Sequence, residues 1–97
     1  MEVRIKAIHF DIAERLNEFI DRKAERLSRR YSAISHIDFT LKVVKPETSQ
    51  NKEALIAITI PGAKELTATK VADTFEEAID LALEALERQL EKEKAKK

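Results

Sequence analysis

The sequence has no cysteine and no tryptophan, and among its 97 residues there are one glycine, two prolines and two histidines. Without cysteine there are no disulfides, no thiolate nucleophile and no cysteine-based zinc site. That usage fits a reducing compartment, so the expected location is cytoplasmic. A single glycine, Gly62, excludes a Walker loop and a dinucleotide fingerprint, because both need several glycines where backbone approaches phosphate. His9 and His36 stand at strand ends without a carboxylate at metal-ligand spacing, and no serine-nucleophile motif occurs. The reading is a non-enzymatic protein with no metal, cofactor or small-molecule substrate. Aromatics are also few, four Phe and one Tyr. Most of them are needed for a core, which leaves no platform for stacking single-stranded bases. No apolar run approaches the roughly 18 residues of a membrane span. "MEVRIKAIHF" alternates where a signal peptide would be continuously apolar, so neither secretion nor a membrane role is expected. Finally, there is no excess of charge of one sign: 18 Lys and Arg balance 18 Asp and Glu. A uniformly basic nucleic-acid binder is thereby disfavoured, and the arrangement of charge becomes the question.

What is present is an ordinary apolar fraction, 43%, beneath an unusually charged exterior, 37%, where globular chains carry roughly a quarter. The length suits a single domain, 1–97, with one small core. Residues 2–9, "EVRIKAIH", alternate with Val3, Ile5 and Ala7 on one side, the pattern of a strand. Asp11 followed by Glu14 has the spacing of a capping box. Ile12, Leu16, Phe19, Ile20, Leu27 and Tyr31 then recur at helical intervals, predicting a helix over 12–31. "HIDFTLKVVK", 36–45, is the clearest strand, with Ile37, Phe39, Leu41 and Val43 on one face. "PETSQNK" reads as a mobile hairpin loop, "EALIAITI" as a third strand, Pro61-Gly62 as a break, and "KELTATKVA" as a weaker fourth strand. Thr74 and Glu77 repeat the capping-box spacing before Phe75, Ile79, Leu83, Leu86 and Leu90, which predict a second helix over about 75–93, with a basic tail at about 92–97. The order is β-α-β-β-β-α. Its expected architecture is an α+β two-layer domain, a largely antiparallel four-stranded sheet with both helices packed on its one apolar face.

On a helical wheel the first helix divides into three sectors. Opposite sides of the apolar stripe carry Arg15, Arg22, Arg26 and Arg29, flanked by Arg30, and Glu14, Glu18, Asp21 and Glu25. Lys23 projects between Leu16 and Phe19, so its stem is expected on the core with its ammonium snorkelling to the basic side. The second helix has an acidic edge, Glu76, Asp80, Glu84, Glu87 and Glu91, and a basic edge, Arg88, Lys92 and Lys96, joined by Gln89 and interrupted by Leu81 and Ala85. Two readings account for this: a solvated surface with light i,i+4 pairing, or an anion-binding face whose Arg forks hold phosphates. In the second case, structured RNA suits the spaced surface better than a small anion.

The element order, closing in "AIDLALEALERQLEKEKAKK", resembles the ribosome hibernation promoting factor family, which includes the ribosome-associated inhibitor protein Y. The resemblance spans nearly the whole chain. It is carried by "AID" at 78–80, "LERQL" at 86–90, the spaced Lys92, Lys94 and Lys96, "IAERLNEFIDRKAERLSRRY" at 12–31 and "IPG" at 60–62. It implies binding to the small ribosomal subunit and its rRNA, in the channel for messenger RNA and transfer-RNA anticodon ends, with inhibition of translation under stress or in stationary phase. A separate ribosome-pairing factor is a further implied partner. Lys23, Arg26, Arg88, Gln89 and Lys92 match basic or polar positions of the family pattern, whereas Arg22, Arg29, Arg30 and Lys96 come from the wheel alone. Ala85 and Glu91 stand where family members often carry lysine and a polar or basic residue, which makes the second helix less positive. The chain resembles the short form, without the additional C-terminal dimerisation domain of long members. The rival reading is a protein-interaction module that uses its charged helices or a sheet edge and binds no nucleic acid.

Overall fold

A computed structural model describes residues 1–44 and 50–95, with side chains described through Lys92. The elements follow the expected order: β1 (Glu2–Ile8), α1 (Glu14–Arg30), β2 (His36–Val43), β3 (Lys52–Thr59), β4 (Leu66–Ala72) and α2 (Phe75–Ala95). The sheet order is β1-β2-β3-β4. β1 and β2 run parallel, which requires a crossover, and α1 is that crossover. β2, β3 and β4 are antiparallel neighbours, so the sheet is mixed.

Register puts one apolar row behind another. Ile5 lies beside Phe39, Phe39 opposite Ile56 and Ile56 opposite Ala68, all on the face that meets the helices. Ile37, Phe39, Leu41, Ala54, Ile56 and Ile58 are almost completely buried there, in one cluster with Leu16, Ile20, Ala24 and Leu27 of α1 and Ala78, Ile79, Ala82, Leu83, Leu86 and Leu90 of α2. Each large side chain so buried contributes about 1.5–3 kcal/mol of hydrophobic stabilisation. The opposite face, with Thr40, Leu55 and Thr69 in one cross-strand row, is not covered by a described element.

The two helix starts differ from each other. At α2 the expected cap is present: the Thr74 hydroxyl accepts the Glu77 backbone N–H at 3.1 Å. At α1 the expected capping box is absent. The N-cap is Ala13, with no side-chain cap bond, and Asp11 stands two residues too early to serve. The cause is packing. Phe10 stacks on Phe75 with centroids 4.8 Å apart, and Ile12 packs on the core outside the helix. Residues 10–13 therefore bridge from β1 to α1, with Ala13 extended, and the helix begins at Glu14 rather than Ile12. His9 takes a left-handed φ of 63° at the start of this bridge.

Gly62 closes a tight turn after β3. It has φ 79° and follows Pro61, with the Ala63 N–H donating to the Ile60 carbonyl at 3.0 Å, the geometry of a type II turn. The loop expected over "PETSQNK" is shorter than the composition implied. Lys52 already belongs to β3, opposite Val43, and Asn51 is buried. The Gln50 N–H donates to the Asp73 carboxylate at 2.6 Å. The remainder of that stretch, 46–49, lies outside the described residues, as does Lys45 at the expected end of β2.

Candidate nucleic-acid interface

α1 and α2 lie side by side on the sheet, so each presents one flank to the other and one ridge to solvent. On α1 the ridge carries Arg15, Arg22, Arg26 and Arg29, all exposed. Arg29 is held by Glu25 one turn earlier at 2.6 Å. Arg15, Arg22 and Arg26 make no ion pair with any described residue, and all three remain available to an external anion. This row is what the wheel predicted from the spacing of 15, 22, 26 and 29.

The flank of α1 that faces α2 meets an acidic wall. Lys23 Nζ lies 2.9 Å from Asp80 Oδ1 and 5.2 Å from the Phe19 ring centroid. Its stem is on the core as expected, but its ammonium turns to α2 rather than to the basic ridge of α1. Arg30 reaches Glu87 at 3.5 Å and Glu91 at 4.0 Å. Tyr31, buried at the C-cap of α1, donates its hydroxyl to Glu91 at 2.5 Å. That bond to a carboxylate, together with burial, pushes the Tyr31 phenol above its ordinary pKa, while Arg30 pulls the other way. A depression lined by Lys23, Arg26, Leu27, Asp80, Leu83, Glu84 and Glu87 therefore separates the two helices. The acidic edge of α2 lines one of its sides.

The basic residues of α2 lie on its far side from this seam or at its open end. Arg88, 67% exposed, sits 3.7 Å from Glu84. It joins Arg30, Tyr31 and Lys92 around a second, more open depression of about 440 Å³ that also includes Glu84, Glu87 and Glu91. Gln89 is directed elsewhere: its amide donates to the Thr67 carbonyl of β4 at 3.1 Å. Lys96 lies outside the described residues. Of the nine positions singled out from the sequence, the structure thus gathers Arg30, Arg88 and Lys92 around one depression and places Lys23 along the adjoining seam, with Arg26 where the outer ridge borders it. Arg22 and Arg29 stand on the outer ridge, and Gln89 is tied to the sheet. Sequence reasoning separated the acidic and basic edges of α2 but did not establish which edge faces α1. The signal was available in the wheel. Lys23 and Arg30 border the apolar stripe of α1 just as Asp80 and Glu87 border that of α2, so complementarity favours their meeting.

Two ionisable groups on the sheet's uncovered face are also perturbed. Arg4 donates to Glu2 at 2.7 Å, a hydrogen-bonded pairing that lowers the Glu2 carboxyl and raises Arg4. Among the described residues there is no group of three or more His, Cys, Asp or Glu placed to hold a metal ion. Nor is any helix long and apolar enough to cross a membrane.

The same fold occurs among solved structures. A ribosomal subunit interface protein from Coxiella burnetii superposes with a TM-score of 0.86 at 26% identity, covering 98% of this chain and 99% of that one. The Thermus thermophilus protein Y N-terminal domain shares the fold at a TM-score of 0.78 and 20% identity, over 95% and 98% of the two chains. In sequence, the ribosome hibernation promoting factor of Azotobacter vinelandii is 31% identical over 96 residues, 99% of this chain and 85% of that protein. The factor of the same name from Pseudomonas putida is 30% identical over 96 residues, 99% and 89% of the two. The family described as sigma 54 modulation protein / S30EA ribosomal protein matches residues 3–97, and the chain belongs to it.

Proposed function

We propose that the protein is a ribosome hibernation factor. As one ribosome-binding unit, it occupies the messenger-RNA and transfer-RNA channel of the small subunit, contacts the rRNA there and inhibits translation under stress or in stationary phase. It acts by occupancy rather than by catalysis, in the cytoplasm, without a cofactor. The observation that carries this reading is the exposed row of Arg15, Arg22 and Arg26 on α1, unpaired with any described residue, in a chain whose relatives are named ribosome hibernation promoting factors. Guanidinium forks fixed on a rigid helix at spacings of two turns and one turn match phosphate oxygens along an RNA backbone. Arg22, Lys23, Arg26, Arg29, Arg30, Arg88, Gln89, Lys92 and Lys96 are the residues assigned to that contact. The unpaired arginines carry most of the affinity, and Gln89 takes part through the placement of α2 against β4.

The test is co-sedimentation of the purified protein with isolated small ribosomal subunits at two salt concentrations, beside a variant carrying Arg22→Glu, Arg26→Glu and Arg88→Glu. Release of counterions from three or more phosphates lowers affinity by about an order of magnitude or more for a roughly fourfold rise in salt, and the variant should not pellet. Absence of pelleting by the folded native protein at low salt would sink the reading. The alternative, a protein-interaction module, draws on the uncovered sheet face, where Leu55 and Val71 are exposed. It predicts binding that changes little with salt and survives the three reversals.

A further inference from the structure

The seam between the helices has a feature that rRNA binding by itself does not require. Two of the cations nearest the proposed phosphate path are already neutralised from within: Lys23 by Asp80 at 2.9 Å, and Arg30 by Glu87 at 3.5 Å with Glu91 at 4.0 Å. Asp80 and Glu87 are two turns apart on α2, on the edge that faces α1, and both line the depression beside Arg26. A phosphate entering this depression meets carboxylates at the same time as it meets cations. On the outer ridge, Arg15 and Arg22 impose no such cost.

We propose that Asp80 and Glu87 are specificity-determining residues that act as built-in competitors for the anion site. By holding Lys23 and Arg30 in internal ion pairs, they confine easy phosphate contact to the outer ridge. A generic RNA, whose phosphates reach the ridge but do not enter the seam, gains little from Lys23 and Arg30. A shaped RNA surface that supplies phosphates on the ridge and at the open end by Arg88 and Lys92 together displaces the carboxylates and gains all of these contacts. A chain of zero formal net charge thus avoids indiscriminate polyanion binding and still engages a target of the right shape. This is discrimination by an unfavourable element as well as a favourable one. The inference rests on the rRNA-binding reading given above.

The experiment compares native protein with Asp80→Asn/Glu87→Gln, which removes two charges at nearly constant shape. A control, Glu53→Gln/Glu65→Gln, makes the same change in net charge away from the helices, with Glu53 on the uncovered face of β3 and Glu65 in the turn before β4. Each is titrated against a perfectly paired RNA duplex of arbitrary sequence and against isolated small subunits, across a salt series. Removing two carboxylates within several ångströms of a phosphate raises duplex affinity about tenfold at low salt and steepens its salt dependence by about one to two phosphate contacts. The control stays within about twofold, and the ratio of subunit to duplex affinity falls for the seam variant alone. Unchanged duplex affinity, an equal rise in the control, or a preserved ratio each overturns the proposal. Failure of the functional reading appears separately, as native protein that does not bind subunits at all. Thermal melts establish that the proteins are folded at the assay temperature, and Glu87→Gln alone replaces the double variant if the latter melts below it.

Discussion

The two helices are alike on the inside and unlike on the outside. α1 buries Leu16, Ile20, Ala24 and Leu27, α2 buries Ala78, Ile79, Ala82, Leu83, Leu86 and Leu90, and the two stripes close over the same sheet face. Outward, α1 shows Arg15, Arg22 and Arg26 with no ion-pair partner among the described residues, whereas α2 keeps Arg88 against Glu84 and turns its acids towards α1. Under the proposed function, stability and recognition are carried by opposite faces of the same two elements. A substitution on one face should leave the other largely intact.

The strongest way to break that comparison is from inside. Ile20 of α1 and Leu86 of α2 are both fully buried, and truncation of either to alanine removes methyl groups from a closed core. Each should cost about 2–5 kcal/mol by urea or guanidinium unfolding. A cost below about 1 kcal/mol for one of them would mean that its helix is only loosely docked, and that the two interiors are not equivalent after all.

Outside, the contrast should appear in binding and not in stability. Arg22→Glu with Arg26→Glu reverses two unpaired charges on the ridge and is expected to lower small-subunit affinity about a hundredfold at low salt. Arg88→Glu, which reverses a charge already shared with Glu84, should lower it about fivefold. Surface substitutions of this kind change unfolding free energy by no more than about 0.5 kcal/mol. Equal losses from the two helices, measured by titration with isolated small subunits, would erase the distinction between an open ridge and a masked flank.

This inner likeness was largely legible from the sequence, and the outer difference only in part. Period-two alternation in "HIDFTLKV" and helical spacing of Leu16, Ile20 and Leu27 report burial directly, because only one face of each element meets the core. The same wheel separated Arg22, Arg26 and Arg29 from Glu14, Glu18 and Glu25. It also held the complementary borders of the two helices, but not the docking that brings them together. The side of α2 that meets α1 is decided jointly by Leu83, Leu86 and Leu90 on the sheet and by the pairing of Lys23 with Asp80. Those contacts are 57 residues apart in sequence for Arg30 and Glu87, beyond any local pattern. The bond of Gln89 to Thr67 was hidden for the same reason, because it depends on where β4 lies. Asp11 shows the converse. Its capping-box spacing is locally correct, yet the Phe10–Phe75 stack fixes the path of the chain and moves the helix start beyond its reach.

The helix starts give the comparison a smaller and cleaner test. Thr74→Ala removes the hydroxyl that accepts the Glu77 N–H and should cost about 1 kcal/mol, as the loss of a side-chain cap usually does. Asp11→Ala removes a side chain that caps nothing and should cost less than about 0.5 kcal/mol. The two values come from parallel denaturant titrations. A cost for Asp11→Ala as large as that for Thr74→Ala would restore the capping role that the position of Ala13 denies it.

The smallest effect expected lies where the two helices touch outside the core, at the hydrogen bond from Tyr31 to Glu91. Donation to a carboxylate needs the phenol protonated, and the folded state favours that form, which is why the Tyr31 pKa is raised. A group whose folded pKa lies above its unfolded value stabilises fully below the unfolded value, near 10 for tyrosine, and loses that contribution as pH rises through the folded one. The facing groups set the sign: Glu91 and, farther off, Glu87 oppose a phenolate, while Arg30, 5.5 Å from the ring, partly offsets them. Native protein and Tyr31→Phe should therefore differ in stability by about 1 kcal/mol or less near neutral pH, and this difference should shrink as pH rises above about 10. A difference that stays constant through that range would show that the hydroxyl contributes by filling space between the helices rather than by its bond to Glu91.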